Sequence, residues 1–418
     1  MTEPAARCPF GGTTAPSDAP VAAAPLAETQ KTNREPQHTG PAVVQDERGV
    51  YRVYGYREAR EVLRSEGARQ AGFHYDSVIQ GLGLINPPVL YMEGEQHHEM
   101  RRSTARYFTP AAVSGYGEQI ARLADTQIAR LHRQGEADLD DLTLELAVGV
   151  AARVLGLYHS VLPGMSRRIE KFIERSVESE PGVVLQRETK LQQLQSQANT
   201  LAFFTLDVKP AIRHWRKHPG ENLISHLIAR GYSDVEILTE CFTYGVAGMV
   251  TTREFMSAAA WHLLEHPELR YEYLHAPEAE RQALLHEILR LEPVVGHLYR
   301  HTLSELRVGD TTIPAGSTVA LHIYSTNTDA GTAGEAGREV CPGRSLPRGV
   351  QPQLLAFGDG HHRCPGAFLA IRESDTFLRR LLMLNDLRLV EHPAVHWNET
   401  VKGYEIRGLK VSLRPAAM

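Results

Sequence analysis

The sequence predicts a mainly helical protein with a minor complement of short strands. Three observations carry that prediction. A capping-box signature, Ser233-x-x-Glu236, opens an unbroken helical run that reaches about His266, where His266-Pro267 marks an end. Residues 142–157 form an apolar stretch with helical spacing, and residues 162–217 carry a polar helical pattern. Candidate strands are few and short, and lie mostly within 42–54 and 306–323.

The elements follow in order. The first 40 residues, rich in Ala, Pro and Thr, read as a mobile tail ahead of an ordered chain over 41–418. Residues 42–44 and 50–54 flank the turn Asp46-Glu47-Arg48-Gly49 and predict a hairpin; 56–64 reads as a short helix. Residues 73–91 contain Gly and Pro without a sustained period and predict a loop, of a length that is usually functional. A helix enters at Glu93-Gly94 and ends near Phe108-Thr109-Pro110, placing His97 and Arg101 on one face. The run from Ser233 to His266 makes a rod of about 45 Å, with Ala247-Gly248 and Thr251-Thr252 at its middle. Another helix begins near Pro277 and carries Glu287 and Arg290 at i and i+3, ordinarily a weak surface pair.

Composition excludes several classes. With 418 residues and 42% hydrophobic content the chain can bury a large core, and length alone suggests two or three domains. A net charge of −5 offers nothing to nucleic acid or to an anionic membrane surface. No apolar run approaches the roughly 20 residues of a membrane span, and the N-terminus lacks a signal-peptide pattern, so a cytoplasmic protein is expected. Four cysteines without regular spacing do not make a disulfide scaffold.

Chemistry concentrates in Phe357-Gly358-Asp359-Gly360-His361-His362-Arg363-Cys364-Pro365-Gly366. One cysteine ends a glycine-punctuated loop where a helix begins. Pro365 suits the first helical position. The helix would aim its free N–H groups at the sulfur and favour a thiolate. The glycines Gly358, Gly360 and Gly366 let the backbone turn tightly against a flat ring. Such a thiolate is a fifth ligand for heme iron. Two other readings stand beside it: a buried structural cysteine, and a zinc site with His361 and His362. Zinc usually draws four ligands from paired clusters, and no Cys-x-x-Cys pair occurs.

The segment FGDGHHRCPGAFLA resembles the heme-binding loop of the cytochrome P-450 superfamily, Phe-Gly-x-Gly-x-His-x-Cys-x-Gly, at every specified position. His97-x-x-x-Arg101, the small pair before Thr251, and Glu287-x-x-Arg290 resemble the family's C-, I- and K-helix motifs in the same order, so the resemblance covers roughly 42–414. It implies a single mainly α domain of the cytochrome P-450 fold, soluble and bacterial in type, with heme b (iron protoporphyrin IX) between the I and L helices. It implies a monooxygenase that uses O2, with Cys364 on the iron. His97, Arg101, Arg300 and His362 would hold the propionates, with Phe357 and Gly366 framing the ring. Ala247 and Gly248 would leave room for oxygen, and Thr251 would hydrogen-bond it and pass protons.

One departure matters. Many relatives have Asp or Glu where this chain has Val250. Glu254, three residues beyond Thr251, is the candidate replacement, with a solvated helix residue as the plainer alternative. By the same resemblance the substrate pocket is expected from Phe73, His74, Tyr75, Tyr244, Val246, Val250, Val294, Val295, His297 and Tyr404, and its mixed character suggests a medium-sized natural product. No flavin or dinucleotide motif is present, so a ferredoxin and ferredoxin reductase are the expected electron donors, docking on Arg102, Arg106, Arg344, Arg348 and Arg363. Two alternatives remain: oxidative ring formation, coupling or peroxide-driven chemistry, and a non-catalytic heme-binding protein.

Overall fold

A computed structural model describes residues 30–33, 38–72, 84–173, 190–341, 343–399 and 401–414. The predicted helices are present where the residues are described; residues 174–189 of the expected polar helical stretch lie outside them, and Gly117–Gln134 is an addition. Tyr56–Arg64 and Gly94–Thr104 are followed by Gly117–Gln134, Leu139–Leu155, Met165–Ile173 and Lys190–Phe203. Glu278–Leu291 and Ala367–Leu382 come later in the chain. Among the described residues no helix is long and apolar enough to cross a membrane.

The long helix is built in three pieces: Asp234–Gly245, a π-helical turn Val246–Val250, and Thr251–Glu265. Its start is the predicted capping box. Ser233 N–H donates to Glu236 Oε2 at 2.8 Å, and Glu236 N–H returns to Ser233 Oγ at 3.3 Å. The last piece buries nearly every side chain from Thr252 to Leu263, so it runs through the core rather than over it. It packs on Leu139–Leu155 and Ala367–Leu382. The π turn had no sequence signal; such turns inside α-helices frequently sit at functional sites.

The main sheet has five strands in the spatial order Val43–Gln45, Tyr51–Val53, Thr318–His322, His297–Thr302, Ala68–Ala71. The hairpin forms as predicted, with Val43 opposite Val53 and Asp46 Oδ1 accepting from Val50 N–H at 2.9 Å across the turn. Arg300 lies on the strand His297–Thr302, opposite Gln70 on the edge strand.

Glu287 and Arg290 are not a surface pair. Both are buried, 2.8 Å apart, and Arg290 also donates to the carbonyls of Asn327, Gly337 and Glu339. Glu287 accepts from Cys341 N–H, and Asn327 Oδ1 accepts from Leu355 N–H. The pair thereby holds the segment that leads into the cysteine loop.

The expected tail is corrected at one point. Residues 30–33 are docked, with Lys31 and Thr32 buried. The Lys31 and Thr32 N–H groups reach the two oxygens of buried Glu292 at 2.6 and 3.0 Å, and His262 Nε2 lies 2.9 Å away. A buried carboxylate needs these partners, and the chain supplies them from its N-terminal side.

Candidate active site

The cysteine loop is positioned from both flanks. Asp359 binds Arg60 and Arg64 of the helix Tyr56–Arg64 at 2.7 and 2.9 Å. Gly360 has φ near +68°, and a Cβ there would lie 2.2 Å from the Leu63 carbonyl oxygen, so only glycine fits. Gly366 is not needed for its backbone angle; it is the N-cap of Ala367–Leu382 at φ −84°. The helix therefore starts two residues after Pro365, which sits in the turn and not at the first helical position. Cys364 N–H donates to Phe357 O at 2.9 Å and closes the loop.

Cys364 is reached by solvent only because its sulfur opens on an internal cavity of about 850 Å³. Dense protein surrounds it otherwise, and burial raises the thiol above its usual value. The Gly366 N–H and the charges of Arg101 and Arg363 pull the other way. The helix terminus alone does not ionise this sulfur, contrary to the expectation from sequence. Ionisation is left to be driven by metal ligation, which requires the thiolate.

Cationic and imidazole groups crowd one end of the cavity. His97, Arg101, Arg300 and His362 all line it. Among the described residues, buried Arg300 has Gln70 Oε1 and its neighbour's carbonyl as acceptors, at 2.5 and 2.8 Å, and desolvation pushes it down to about 10. Both ring nitrogens of His97 are buried without a partner among the described residues, and burial together with the nearby cations pushes it down to about 3. The His97 and His362 rings lie 4.2 Å apart. Arg101 and Arg300 have no carboxylate at ion-pair distance among the described residues and would suit an anionic ligand such as the carboxylates of a bound ring. These residues fit heme b.

The zinc reading does not survive. The one group among the described residues spaced like metal ligands is Glu93, His361 and His362, and Cys364 is outside it. Glu93 instead lies against the two imidazoles, at 3.6 and 3.3 Å.

Ala247, Gly248 and Thr251 of the central helix line the same cavity as the sulfur. Among the described residues a Cβ on Gly248 would meet Ala151 of Leu139–Leu155 at 3.9 Å, an ordinary contact, so the small residues both pack against that helix and face the cavity. Thr251 Oγ1 donates to Ala247 O at 2.5 Å, which leaves its lone pairs for the cavity. Tyr244, Val294, Val295 and Phe357 also line it.

Other expected residues lie elsewhere. Glu254 is fully buried on the far side of the helix, bound to Arg253 and Arg407, both at 2.8 Å, and to Ile406 N–H at 2.7 Å. It cannot replace an acid at Val250, because both its oxygens are taken by Arg253 and by Ile406 and Arg407 of the C-terminal hairpin. Val250 itself is core. His297 packs between His322 and Trp397 in the sheet. Tyr404 is buried with its hydroxyl donating to Glu292 O at 3.1 Å. None of these four reaches the cavity wall. Phe73, His74 and Tyr75, and the side chain of Val246, lie outside the described residues.

Sequence reasoning missed Glu373. It lines the cavity from Ala367–Leu382, hydrogen-bonds Thr252, and has one buried oxygen without a partner. Desolvation raises its carboxyl well above the ordinary range, which favours the protonated form. The available signal was its place two turns into the helix that follows Cys364.

Known proteins can now be set beside this geometry. The Cytochrome P450 family model matches residues 281–395. Cyclomarin C epoxidase CymV of Salinispora arenicola is 30% identical over 289 residues, covering 67% of this chain and 68% of that protein. This chain belongs to the cytochrome P450 family. Cytochrome P450 107B1 of Saccharopolyspora erythraea is similar to this P450 at 27% identity over 363 residues, covering 84% and 81% of the two chains. In fold, this P450 is similar to the solved structure of a mutant of P450 EryK in complex with erythromycin B, with a TM-score of 0.71 at 21% identity over 90% and 95% of the chains. It is a monooxygenase that uses heme and O2, as its family does.

Proposed function

We propose that this P450 oxidises a small or medium-sized natural product, with electrons from a ferredoxin and its reductase. The observation that carries the reading is the cavity that brings Cys364 and Thr251 to a common space. A relative named as an epoxidase of cyclomarin C and another named as an erythromycin C-12 hydroxylase support the substrate class.

Bound in this cavity, heme supplies activation of O2 and insertion of oxygen into a C–H bond. Cys364 would hold the metal. His97, Arg101, Arg300 and His362 would orient the cofactor through its carboxylates, and Phe357 and Gly366 would frame it. Thr251 would accept a hydrogen bond in the cavity, where Ala247 and Gly248 would leave room. Thr252 and Glu373 hold the proton that Val250 does not supply and Glu254 does not reach.

For the electron donor, Arg102, Arg106 and Arg348 are exposed and Arg363 half-buried. Arg344 is withdrawn from that set: it is tied to Glu287 at 2.9 Å and to the carbonyls of Ala333, Ala336 and Glu339. Reduction by a ferredoxin should slow as salt rises.

A second reading, oxidative ring formation or coupling, is favoured by Val250, a buried apolar residue where many relatives carry an acid. Two measurements test the pair. The ferrous carbonyl spectrum of the holoprotein should show the red-shifted band of sulfur ligation; a histidine-type band sinks both readings. Product mass then separates them: a gain of one oxygen supports hydroxylation or epoxidation, and loss of two hydrogens supports coupling.

A further inference from the structure

The wall of the cavity along the central helix has a pattern that the reaction itself does not require. Thr239, Thr243 and Thr251 all line it, at steps of four and eight residues on one face. Thr239 and Thr243 lie about 18 and 12 Å along the helix from Thr251, too far to take part in chemistry at the sulfur's axis. Each hydroxyl has its single proton committed to its own helix. Thr239 Oγ1 donates to Glu236 O at 2.9 Å, Thr243 Oγ1 to Thr239 O at 2.9 Å, and Thr251 Oγ1 to Ala247 O at 2.5 Å. What remains for a ligand is lone pairs. The surroundings are apolar: Phe203, Leu238, Phe242 and Val235 line the same stretch. Among the described residues the cationic side chains that line the cavity are Arg101 and Arg300. Arg101 hydrogen-bonds the Arg363 carbonyl and Arg300 hydrogen-bonds Gln70, and neither touches Thr239 or Thr243.

We propose that Thr239 and Thr243 select a neutral, mainly apolar substrate that carries hydrogen-bond donors, alcohol O–H or amide N–H, and disfavour a free carboxylate. The inference rests on the reading that substrate lies along this helix above the cofactor. A donor on the substrate pairs with a threonine lone pair at no cost to the helix. A carboxylate brings only lone pairs against lone pairs, in a wall that leaves it otherwise desolvated.

Imidazole-tethered chains test this on the holoenzyme. The imidazole nitrogen ligates the iron and anchors the probe, and the tail runs into the cavity. Three matched series of increasing chain length are titrated by the shift of the heme spectrum: ω-hydroxyalkyl, ω-methoxyalkyl and ω-carboxyalkyl imidazoles. At the chain length that reaches Thr243 or Thr239, the alcohol should bind about fivefold tighter than its methyl ether, as one neutral hydrogen bond provides, and tighter still than the acid. Thr239→Val with Thr243→Val should erase the preference while the ether binds as before, which shows the fold intact. Thr239→Ser with Thr243→Ser should keep it. Equal binding of alcohol and ether by the unaltered enzyme at every length, tighter binding of the acid, or a preference that survives both valines overturns the proposal. Failure of every imidazole to shift the spectrum would instead sink the heme-thiolate reading beneath it.

Discussion

Glu254 takes the guanidinium of Arg407 at 2.8 Å, on the face of the central helix that looks away from the sulfur. The same carboxylate receives Arg253 at 2.8 Å and the Ile406 N–H at 2.7 Å. It is a clamp between the helix and the hairpin Ala394–Asn398, Gly403–Arg407, and this separates it from proton delivery.

Glu254→Gln should therefore lower stability and leave coupling alone. The amide oxygen can still accept from Ile406, but two guanidiniums lose a buried charge partner, while Glu170 and Glu405 remain to them. The expected cost is about 2 kcal/mol, read by denaturant unfolding of the holoenzyme. Increased peroxide release at unchanged stability would return Glu254 to the proton path.

Glu373→Gln should do the reverse. The side chain keeps its volume and loses an acidic proton beside Thr252. Product formation per electron consumed should fall about tenfold or more, in the range that a positioned acid supplies, with little change in unfolding. A solvent-exchangeable carboxylic-acid band in the infrared spectrum at neutral pH should vanish in the variant. Its persistence would assign the band elsewhere.

Glu240 predicts a pH dependence. It is fully buried on the central helix, accepts from Val89 N–H at 3.0 Å, and has its second oxygen unpartnered. Desolvation raises it from 4.5 to about 8. The folded protein then keeps a proton that the unfolded chain has released between those values. Its contribution is fully present below about 4.5 and is lost as pH rises toward 8, by at most about 1.4 kcal/mol per pH unit. Glu240→Gln should flatten the fall, with the largest gain near pH 8. An unchanged pH profile by thermal melting would refute the assignment.

Deleting residues 1–33 should destabilise the protein although the cavity is untouched. Glu292 would lose the N–H groups of Lys31 and Thr32 and the Thr32 hydroxyl, keeping His262. About 3 kcal/mol is expected for a buried carboxylate so exposed to its own desolvation cost. The midpoint of urea unfolding reads it, and an unmoved midpoint would show that water replaces the lost donors.

Much of the fold was legible because local signals agreed with it. The capping box at Ser233 and Glu236, the turn at Asp46, and the helix Tyr56–Arg64 are decided by contacts within a few residues. The π turn Val246–Val250 was not legible, since the widened turn has no residue code of its own. His297 and Tyr404 were misplaced for another reason. Each stands beside a cavity residue or hairpin in sequence, yet strand pairing with His322 and Trp397 turns them into the sheets. Arg344 read as surface charge until Glu287, far off in sequence, proved to bury it.

Sequence alone picked out the candidate ligand set: a cysteine after a glycine loop, a histidine and an arginine one helical turn apart, and small residues before Thr251. Those are short-range patterns, and chemistry at a metal demands particular atoms at particular spacings. Which carboxylate faces the cavity was decided only by tertiary structure. Glu254 and Glu373 are equally acidic on paper; packing gives one two arginines and the other none. The cost of desolvating a charge depends on neighbours that the linear chain does not name.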